Sequence, residues 1–279
     1  MMQSKKFVSI IIPTFNSEKT IHSCLKSIIE QTYKEIEIII VDKHSQDNTI
    51  KIAEEYGAKI LVRNVGRSAA RNLGAKYAGG DFLLFIDSDM ELTPKVIEEC
   101  AATSISNNID AVIIPEEPVT KGFLSECRRL EKQLYAGNKL FEIPRFFRKS
   151  AFKELGGYDE KLIFGEDFDL YIRLERIGFK TGRIHSKIMH HEEELSIRRI
   201  ALKAYNYGKS LPAIMTKSPR LLLKRHSPLN LISNIKMLLR NPLHAAGLLT
   251  IKTIEYLAYL TGFLIRVSER LLKSSPINE

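Results

Sequence analysis

The stretch "GDFLLFIDSDMEL", residues 80–92, runs from a glycine through a block of apolar residues to two aspartates, Asp87 and Asp89. A short apolar run that ends in polar residues is typical of a buried strand in a parallel sheet. Ligands of such sheets bind beyond the carboxyl ends of the strands, so both carboxylates lie where a ligand is expected. In extended backbone the two side chains would point to opposite faces, but a turn would let both reach one divalent cation.

The same alternation of apolar runs and helical patterns continues on both sides of this stretch. Strands are predicted in "FVSIIIPTFN" (7–16), "EIEIIIVD" (35–42), "KILVR" (59–63) and "DAVII" (110–114). Helices are predicted between them, and Ser17 is expected to cap the first. This order indicates right-handed crossovers and an α/β fold with a mostly parallel sheet flanked by helices.

Composition indicates a globular chain with an uneven distribution of charge. The 279 residues are 44% apolar, and the three cysteines lack a metal-type or disulfide-type spacing, which favours a reducing, cytoplasmic setting. Residues 1–170 hold 23 Lys and Arg against 26 Asp and Glu, whereas residues 171–279 hold 19 against 7. The basic part favours contact with an anionic surface, either nucleic acid or phospholipid.

Polar residues at three strand ends predict the type of ligand. Pro13 and Thr14 end the first strand, Asp42 ends the second, and Asp87 and Asp89 follow the fourth. No Gly-rich dinucleotide or P-loop motif follows the first strand, which argues against those two classes. A cation held by few carboxylates completes its shell with water and phosphate oxygens. The predicted ligand is therefore a phosphorylated small molecule.

Four motifs occur here in an order that resembles the inverting glycosyltransferases of family 2, which have the GT-A fold. They are "IIPTFN" (11–16), "IIVDKHSQDNT" (39–49), "NVGRSAARNLG" (64–74) and "FIDSDM" (85–90). The resemblance implies a GT-A catalytic domain over residues 5–190, with a nucleotide-binding half at about 5–115 and an acceptor half at about 116–190. It also implies transfer of one sugar from a nucleotide-diphosphate sugar, such as a UDP- or GDP-sugar, with Mg²⁺ or Mn²⁺ as the metal.

The resemblance further assigns a nucleotide site to Pro13, Thr14, Asp42, Arg71, Asp87 and Ser88. Pro13 and Thr14 would line the nucleoside pocket, and Asp42 would accept a hydrogen bond from the base. Arg71 would help to hold the nucleotide, although a cation on a helix surface is the alternative. Lys43 stands near the position where many relatives have a second Asp, which leaves the base open.

The metal site implied by the resemblance consists of Asp87, Asp89 and His190. The histidine lies in "KIMHHEEELSI", residues 187–197, where similar proteins place a His next to the metal or the diphosphate. His191 is the alternative to His190. Without the other motifs, a vicinal His pair is more often surface structure.

The acceptor side resembles the family in "RFFRKSAFKELGGYDEKLIFGEDFDLYIRLERIGFK", residues 145–180, which contains the pair Glu166 and Asp167. Inverting transfer needs a base that faces the acceptor hydroxyl, and Asp167 is the candidate with Glu166 beside it. Acidic residues in the first turn of a helix are also common as partners of the helix dipole, which is the alternative.

Residues 191–279 are predicted to form a basic, amphipathic, membrane-proximal helical extension. Helical segments are expected at 194–219, 227–242 and 243–267, and an apolar stripe is expected at Ile197, Ile200, Ala201, Ala204 and Tyr207. Lys252 and Glu255 interrupt the last segment, so a transmembrane helix is not predicted. The expected place is the cytoplasmic face of the membrane, and packing of these helices on the catalytic domain is the alternative.

The sequence also bears on the acceptor and on other classes of function. The acceptor would be lipid-linked or a glycan, and the absence of Trp excludes the Gln-x-x-Arg-Trp signature of processive synthases. A haloacid-dehalogenase-type phosphatase would have Thr or Val soon after its Asp-x-Asp, where this chain has Met90 and Glu91. No nucleic-acid partner is expected, because the aromatic residues lie within apolar stripes. A catalytically inactive nucleotide-sugar-binding membrane adaptor stays open as the alternative.

Overall fold

The computed structural model describes residues 6–274 except 120, 139, 163, 192–194, 216–218, 220–224, 226, 228–229 and 231–233. The predicted domain start at residue 5 and parts of the predicted helical segments 194–219 and 227–242 lie outside these residues. Contacts divide the chain into two compact units. Unit 1 is Met1–Val119 with Glu142–Glu192, and unit 2 is Thr120–Phe141 with Glu193–Glu279. Residues 120–141, which were expected in the acceptor half of a continuous domain, therefore group with the C-terminal helices.

Unit 1 contains ten strands among the described residues. They are β1 (Val8–Thr14), β2 (Ile36–Asp42), β3 (Lys59–Val62), β4 (Phe82–Phe85), β5 (Met90–Leu92), β6 (Ala111–Ile113), β7 (Glu116–Pro118), β8 (Pro144–Arg148), β9 (Thr181–Arg183) and β10 (Ile188–His190). Its helices are α1 (Glu18–Ile29), α2 (Thr49–Glu55), α3 (Arg67–Tyr77), α4 (Val96–Ser106), α6 (Lys149–Glu154) and α7 (Glu166–Ile177).

Seven of the strands form one sheet in the order β3-β2-β1-β4-β8-β6-β9. Every neighbouring pair is parallel except the two that include β8, which runs antiparallel to β4 and to β6. The predicted α/β fold with a mostly parallel sheet flanked by helices is confirmed, and the predicted strands and helices up to residue 114 are present.

Strand β1 shows why the apolar runs are continuous. Ile10 and Ile12 lie in the core that contains residues of α1, α2 and α4, whereas Ile11 lies in the core that contains residues of α3, α6 and α7. Both faces of the sheet are thus covered, so every position of the strand favours an apolar side chain. Helix α3 packs closely on β1 at Gly74, since there is no room for a larger residue there: a Cβ at this position would overlap the side chain of Ile11.

The start of α1 differs from the prediction in one respect. Ser17 occupies the position before the helix, but its side chain makes no capping hydrogen bond. Instead, Asp47 Oδ2 accepts a hydrogen bond from the Glu18 amide at 3.1 Å, and the Ser17 hydroxyl accepts one from Ser88 Oγ at 2.9 Å. The predicted capping role of Ser17 is therefore wrong, because a distant loop supplies the acceptor.

A second, three-stranded sheet has the order β5-β10-β7. Strands β5 and β10 are antiparallel, with His190 opposite Met90. The turn after β4 leads directly into β5, so this pairing brings the end of β10 beside Asp89. Two segments that are about one hundred residues apart in the sequence therefore meet at the predicted metal site.

Unit 2 is helical in its described part. Its helices are α5 (Phe123–Leu134), α8 (Ile197–Met215), α9 (Ile235–Arg240) and α10 (Pro242–Ser274). Buried residues of α5, α8 and α10 form one apolar cluster, which includes Leu130, Ile200 and Leu248. Gly208 and Gly262 allow helices α8 and α10 to approach closely. A Cβ at either glycine would clash with the backbone of the other helix.

The predicted apolar stripe of α8 is divided between two environments. Ile200 and Ala204 are buried in the cluster of unit 2, whereas Ile197 is 52% exposed. The predicted stripe therefore does not form one continuous exposed surface, because the helices of unit 2 cover Ile200 and Ala204. By length and composition alone, residues Pro242–Glu269 of α10 would be sufficient to cross a membrane, and most of that stretch is not buried.

Candidate active site

A cleft of about 260 Å³ lies at the carboxyl ends of β1, β2 and β4 in unit 1. Its lining residues are Pro13, Thr14, Phe15, Ser17, Val41, Lys43, Arg63, Val65, Arg67, Ala70, Asp87, Ser88 and Asp89. This is the position where the ligands of open parallel sheets bind. Five predicted residues line the cleft, namely Pro13, Thr14, Asp87, Ser88 and Asp89, whereas Asp42 and Arg71 lie outside its lining.

Asp42 is fully buried below the cleft. Its carboxylate accepts hydrogen bonds from Thr14 Oγ1 at 2.7 Å, from the Ser45 amide at 2.7 Å and from Ser45 Oγ at 2.6 Å. A carboxylate has about four acceptor positions, so three of them are already used. Asp42 thus orients Thr14, which does reach the cleft, and its predicted bond to a base stays a prediction.

Three cations line the cleft: Lys43, Arg63 and Arg67. Lys43 Nζ lies 5.7 Å from the centre of the Phe15 ring, which is also part of the lining. Sequence reasoning missed Phe15, Arg63 and Arg67 as site residues. The available signal was position, because Phe15 and Arg63 directly follow strand ends and Arg67 begins a helix.

Arg71 is almost fully buried and joins two carboxylates. Its Nη2 lies 2.6 Å from Asp87 Oδ1, and its Nη1 lies 3.2 Å from Glu166 Oε1. The alternative of a surface cation is therefore wrong. The structure gives Arg71 protein partners on two sides, so its effect on the cleft is exerted through Asp87.

Asp87 faces a second arginine on its other side. Arg145 Nη1 lies 3.7 Å from Asp87 Oδ2, and Arg145 Nε lies 2.5 Å from Glu116 Oε1. Burial alone would raise the pKa of Asp87, but Arg71, Arg145 and Arg67 outweigh it and hold that pKa well below its usual range. Asp87 is therefore ionised at neutral pH.

Asp89 turns away from the arginines and toward His190. Its Oδ2 lies 3.4 Å from His190 Nε2, while its Oδ1 is buried and has no hydrogen-bond partner among the described residues. His191 Nε2 instead lies 3.0 Å from Glu91 Oε1. Of the two vicinal histidines, the structure thus places His190 beside Asp89.

His190 also faces Glu116, whose Oε2 lies 3.6 Å from its Nδ1. Burial would lower the pKa of His190, but Asp89 and Glu116 raise it to about 9. His190 is therefore protonated at neutral pH, and a divalent cation would have to displace a ring proton before the nitrogen could coordinate it.

The predicted metal shell of Asp87, Asp89 and His190 is not assembled as one cluster. Within the described ranges, no group of three or more His, Cys, Asp and Glu side chains is placed to hold a metal ion. Both Asp87 oxygens face arginines, which explains why this residue does not join the other two. Asp89 and His190 fit a divalent cation as a pair, since they offer a partnerless buried oxygen and a ring nitrogen.

Helix α7 begins at Glu166, after Gly165 in the left-handed conformation with φ of 75°. Glu166 is buried against Arg67 and Arg71, both 3.2 Å from its Oε1. Asp167 is only partly buried, and its Oδ1 accepts a hydrogen bond from the Phe168 amide at 2.9 Å. The two acidic residues therefore have different environments: Glu166 forms ion pairs with two arginines, whereas Asp167 is more exposed and interacts with Arg145 at longer range.

The mostly parallel sheet and the cleft at its strand ends define an α/β protein with a ligand site at the strand ends, and comparison with known proteins gives its family. Residues 9–155 match the family model described as "Glycosyl transferase family 2", and the chain belongs to this family. It is similar to an uncharacterised glycosyltransferase of Haemophilus influenzae, with 30% identity over 181 residues, which are 60% of this chain and 61% of that protein. The chain spans between 32% and 61% of the length of the first curated relatives that it matches.

Two solved structures share the fold at low sequence identity. Mannosyltransferase PcManGT from Pyrobaculum calidifontis, in complex with GDP-Man and Mn²⁺, matches with a TM-score of 0.66 and 16% identity over 96% of this chain and 89% of that one. S. aureus TarS 1-349, in complex with UDP-GlcNAc, matches with a TM-score of 0.56 and 19% identity over 95% and 92% of the two chains. These likenesses confirm the expected GT-A fold.

Because Asp87 and Asp89 have different surroundings, replacing each by asparagine should change the free energy of unfolding by different amounts. We expect Asp87→Asn to lower the free energy of unfolding by about 3 kcal/mol, because it leaves Arg71 buried with less compensation. Asp89→Asn serves as the matched control and should change it by less than about 1 kcal/mol. Urea unfolding monitored by circular dichroism measures both values.

The pH dependence follows from the lowered pKa of Asp87. A carboxyl group with a lower pKa in the folded state stabilises the protein above its unfolded-state pKa and loses this effect as the pH falls. The difference between wild type and Asp87→Asn should therefore be largest above about pH 4 and shrink below it. Equal destabilisation by the two asparagine variants would contradict the assigned roles.

Proposed function

We propose that this protein is an inverting glycosyltransferase that moves a single sugar from a UDP- or GDP-sugar to a lipid-linked or glycan acceptor. The observation that carries this proposal is the cationic cleft at the strand ends, with Asp89 and His190 at its edge. Lys43, Arg63 and Arg67 offer positive charge to a diphosphate. Solved relatives in the same fold have GDP-Man or UDP-GlcNAc bound, which supports a nucleotide sugar as donor.

Asp89 and His190 would hold Mg²⁺ or Mn²⁺ together with oxygens of the donor diphosphate. When bound, the cation would neutralise negative charge that develops on the leaving diphosphate. This assignment rests on the buried, partnerless Asp89 Oδ1 and on the position of His190 next to it. Asp87 would not bind the cation, because Arg71 and Arg145 already hold its carboxylate. It would instead fix the position of the turn that carries Asp89.

Asp167 would remove the proton from the acceptor hydroxyl as that oxygen attacks the anomeric carbon. A single displacement of this kind inverts the anomeric configuration, and it needs a base that faces the acceptor and lies opposite the leaving group. Asp167 is partly buried at the first turn of α7, whereas Glu166 is held by two arginines. These surroundings favour Asp167 as the base and Glu166 as the residue that anchors the start of the helix.

Unit 2 would attach the enzyme peripherally to an anionic bilayer, on the cytoplasmic face. At 100° per residue, the partly buried Lys252 and Glu255 fall on the same face of α10 as buried Leu248 and Ile251, and they pair with Arg128 and Glu131 of α5. The charges that interrupt the apolar segment therefore face inward, and the outer face carries exposed Leu249, Leu257, Leu260 and Leu264.

Exposed cations on α8, such as Arg198 and Lys203, add an electrostatic attraction to anionic lipids. The outer side of the unit thus presents both exposed leucines and basic groups, whereas its interior is an apolar cluster with ion pairs beside it. A lipid surface satisfies both features, because it accepts the leucines at the headgroup boundary and attracts the basic groups.

The metal assignment predicts the behaviour of Asp89→Ala. Loss of one ionised oxygen ligand from a site with few protein ligands should remove the Mn²⁺-dependent part of UDP or GDP binding. Glu91→Ala, two residues further on in β5 and facing His191, is the matched control and should keep it. Calorimetric titrations with and without Mn²⁺ measure the effect, and unchanged Mn²⁺ dependence in Asp89→Ala would refute the assignment.

The base assignment predicts a separation of binding from turnover in Asp167→Asn. The amide preserves the shape of the side chain but accepts no proton, so turnover should fall by about 10²- to 10⁴-fold while donor affinity stays within about twofold. The exposed Glu175→Gln on the same helix is the control and should behave as wild type. Initial rates with the UDP- or GDP-sugar that binds in a calorimetric screen provide the test, and near-normal turnover would eliminate Asp167.

The membrane proposal predicts the effect of polar substitutions on the outer face of α10. Leu257→Gln with Leu260→Gln should strongly reduce sedimentation of the full chain with anionic liposomes, because both side chains are more than half exposed. Ile29→Gln with Ile105→Gln, exposed residues of unit 1, is the matched control. Added salt should release wild type only in part, since screening weakens the basic contacts alone. Equal sedimentation of both double variants would remove support for this surface.

A further inference from the structure

Arg67 is a cleft residue that is also tied to helix α7. It is the first residue of α3, its side chain is 46% exposed, and it lines the cleft with Asp87 and Asp89. Its Nη2 lies 3.2 Å from Glu166 Oε1. The same oxygen lies 3.2 Å from Arg71 Nη1, so one carboxylate oxygen serves two guanidinium groups.

The two arginines differ in how firmly they are held. The Arg71 side chain is 4% exposed and has a second, closer contact with Asp87 at 2.6 Å. Arg67 is half exposed, and the ion pair that it makes within the described part of the chain is the one with Glu166. Arg67 can therefore turn from Glu166 toward an anion in the cleft without leaving the buried Glu166 uncompensated, because Arg71 stays in place.

We propose that Arg67 binds the diphosphate of the donor, and that Glu166 competes with the diphosphate for this arginine. The inference rests on the proposed donor. A guanidinium group binds phosphate oxygens through two parallel hydrogen bonds, and a diphosphate carries more negative charge than one carboxylate. Donor binding then removes one of the two cations from Glu166, which is the first residue of the helix that carries Asp167. Occupancy of the donor site is in this way communicated to the position of the base.

A double-mutant cycle on nucleotide binding tests this competition. Binding is measured in EDTA, without metal. UDP is compared with uridine, or GDP with guanosine, according to which diphosphate wild type binds more tightly. Arg67→Gln should weaken diphosphate binding about tenfold and leave nucleoside binding unchanged. Glu166→Gln should strengthen diphosphate binding several-fold, because Arg67 becomes available. In the Arg67→Gln background, Glu166→Gln should have no such effect.

Each contrary result has a defined meaning. If Glu166→Gln weakens diphosphate binding, the proposed competition is wrong. It is also wrong if Glu166→Gln strengthens diphosphate binding equally in wild type and in the Arg67→Gln background, because the loss of a negative charge at long range would then explain the effect. If Glu166→Gln does not fold, as judged by thermal unfolding, Arg67→Gln decides alone, and equal effects on nucleotide and nucleoside overturn the proposal. If wild type binds neither UDP nor GDP, the proposed donor site fails as well. Normal binding without an Arg67 effect overturns only this inference.

Discussion

The buried guanidinium group of Arg71 links two distant segments of unit 1 beside the cleft. It joins the carboxylate that follows β4 to the carboxylate that begins α7, although Asp87 and Glu166 are far apart in the sequence. A buried arginine is tolerated when nearby carboxylates compensate its charge, as Asp87 and Glu166 do here. The contacts extend this pairing into a row of alternating charges: Glu116, Arg145, Asp87, Arg71, Glu166 and Arg67.

This row of charges explains why the two aspartates of the opening stretch have different surroundings. Asp87 is part of the row and is held ionised by arginines on both sides. Asp89 comes after the turn and faces the end of β10, where its Oδ1 has no hydrogen-bond partner among the described residues. One carboxylate therefore fixes the geometry of the cleft edge, while the other keeps an oxygen available for a ligand.

Unit 2 shows that the position of a charge matters more than its presence in the sequence. Lys252 and Glu255 interrupt an apolar segment, and in the sequence alone they argue against a transmembrane helix. In the helix they share a face with buried residues and form ion pairs with α5, so they leave the outer face apolar. The same charges thus form ion pairs within the unit and leave apolar side chains on the outer face of α10.

The sequence by itself determined the alternation of strands and helices, the carboxyl-end location of the cleft and the family, because local periodicity and short motifs carry that information. Only the tertiary structure decided the partners of Arg71, the choice of His190 over His191 beside Asp89, and the cleft position of Arg67. Each of these depends on contacts between segments distant in the chain, such as the pairing of His190 with Met90 across two strands. Local pattern does not specify register or side-chain partners over such separations, and so these features emerge only when the chain is folded.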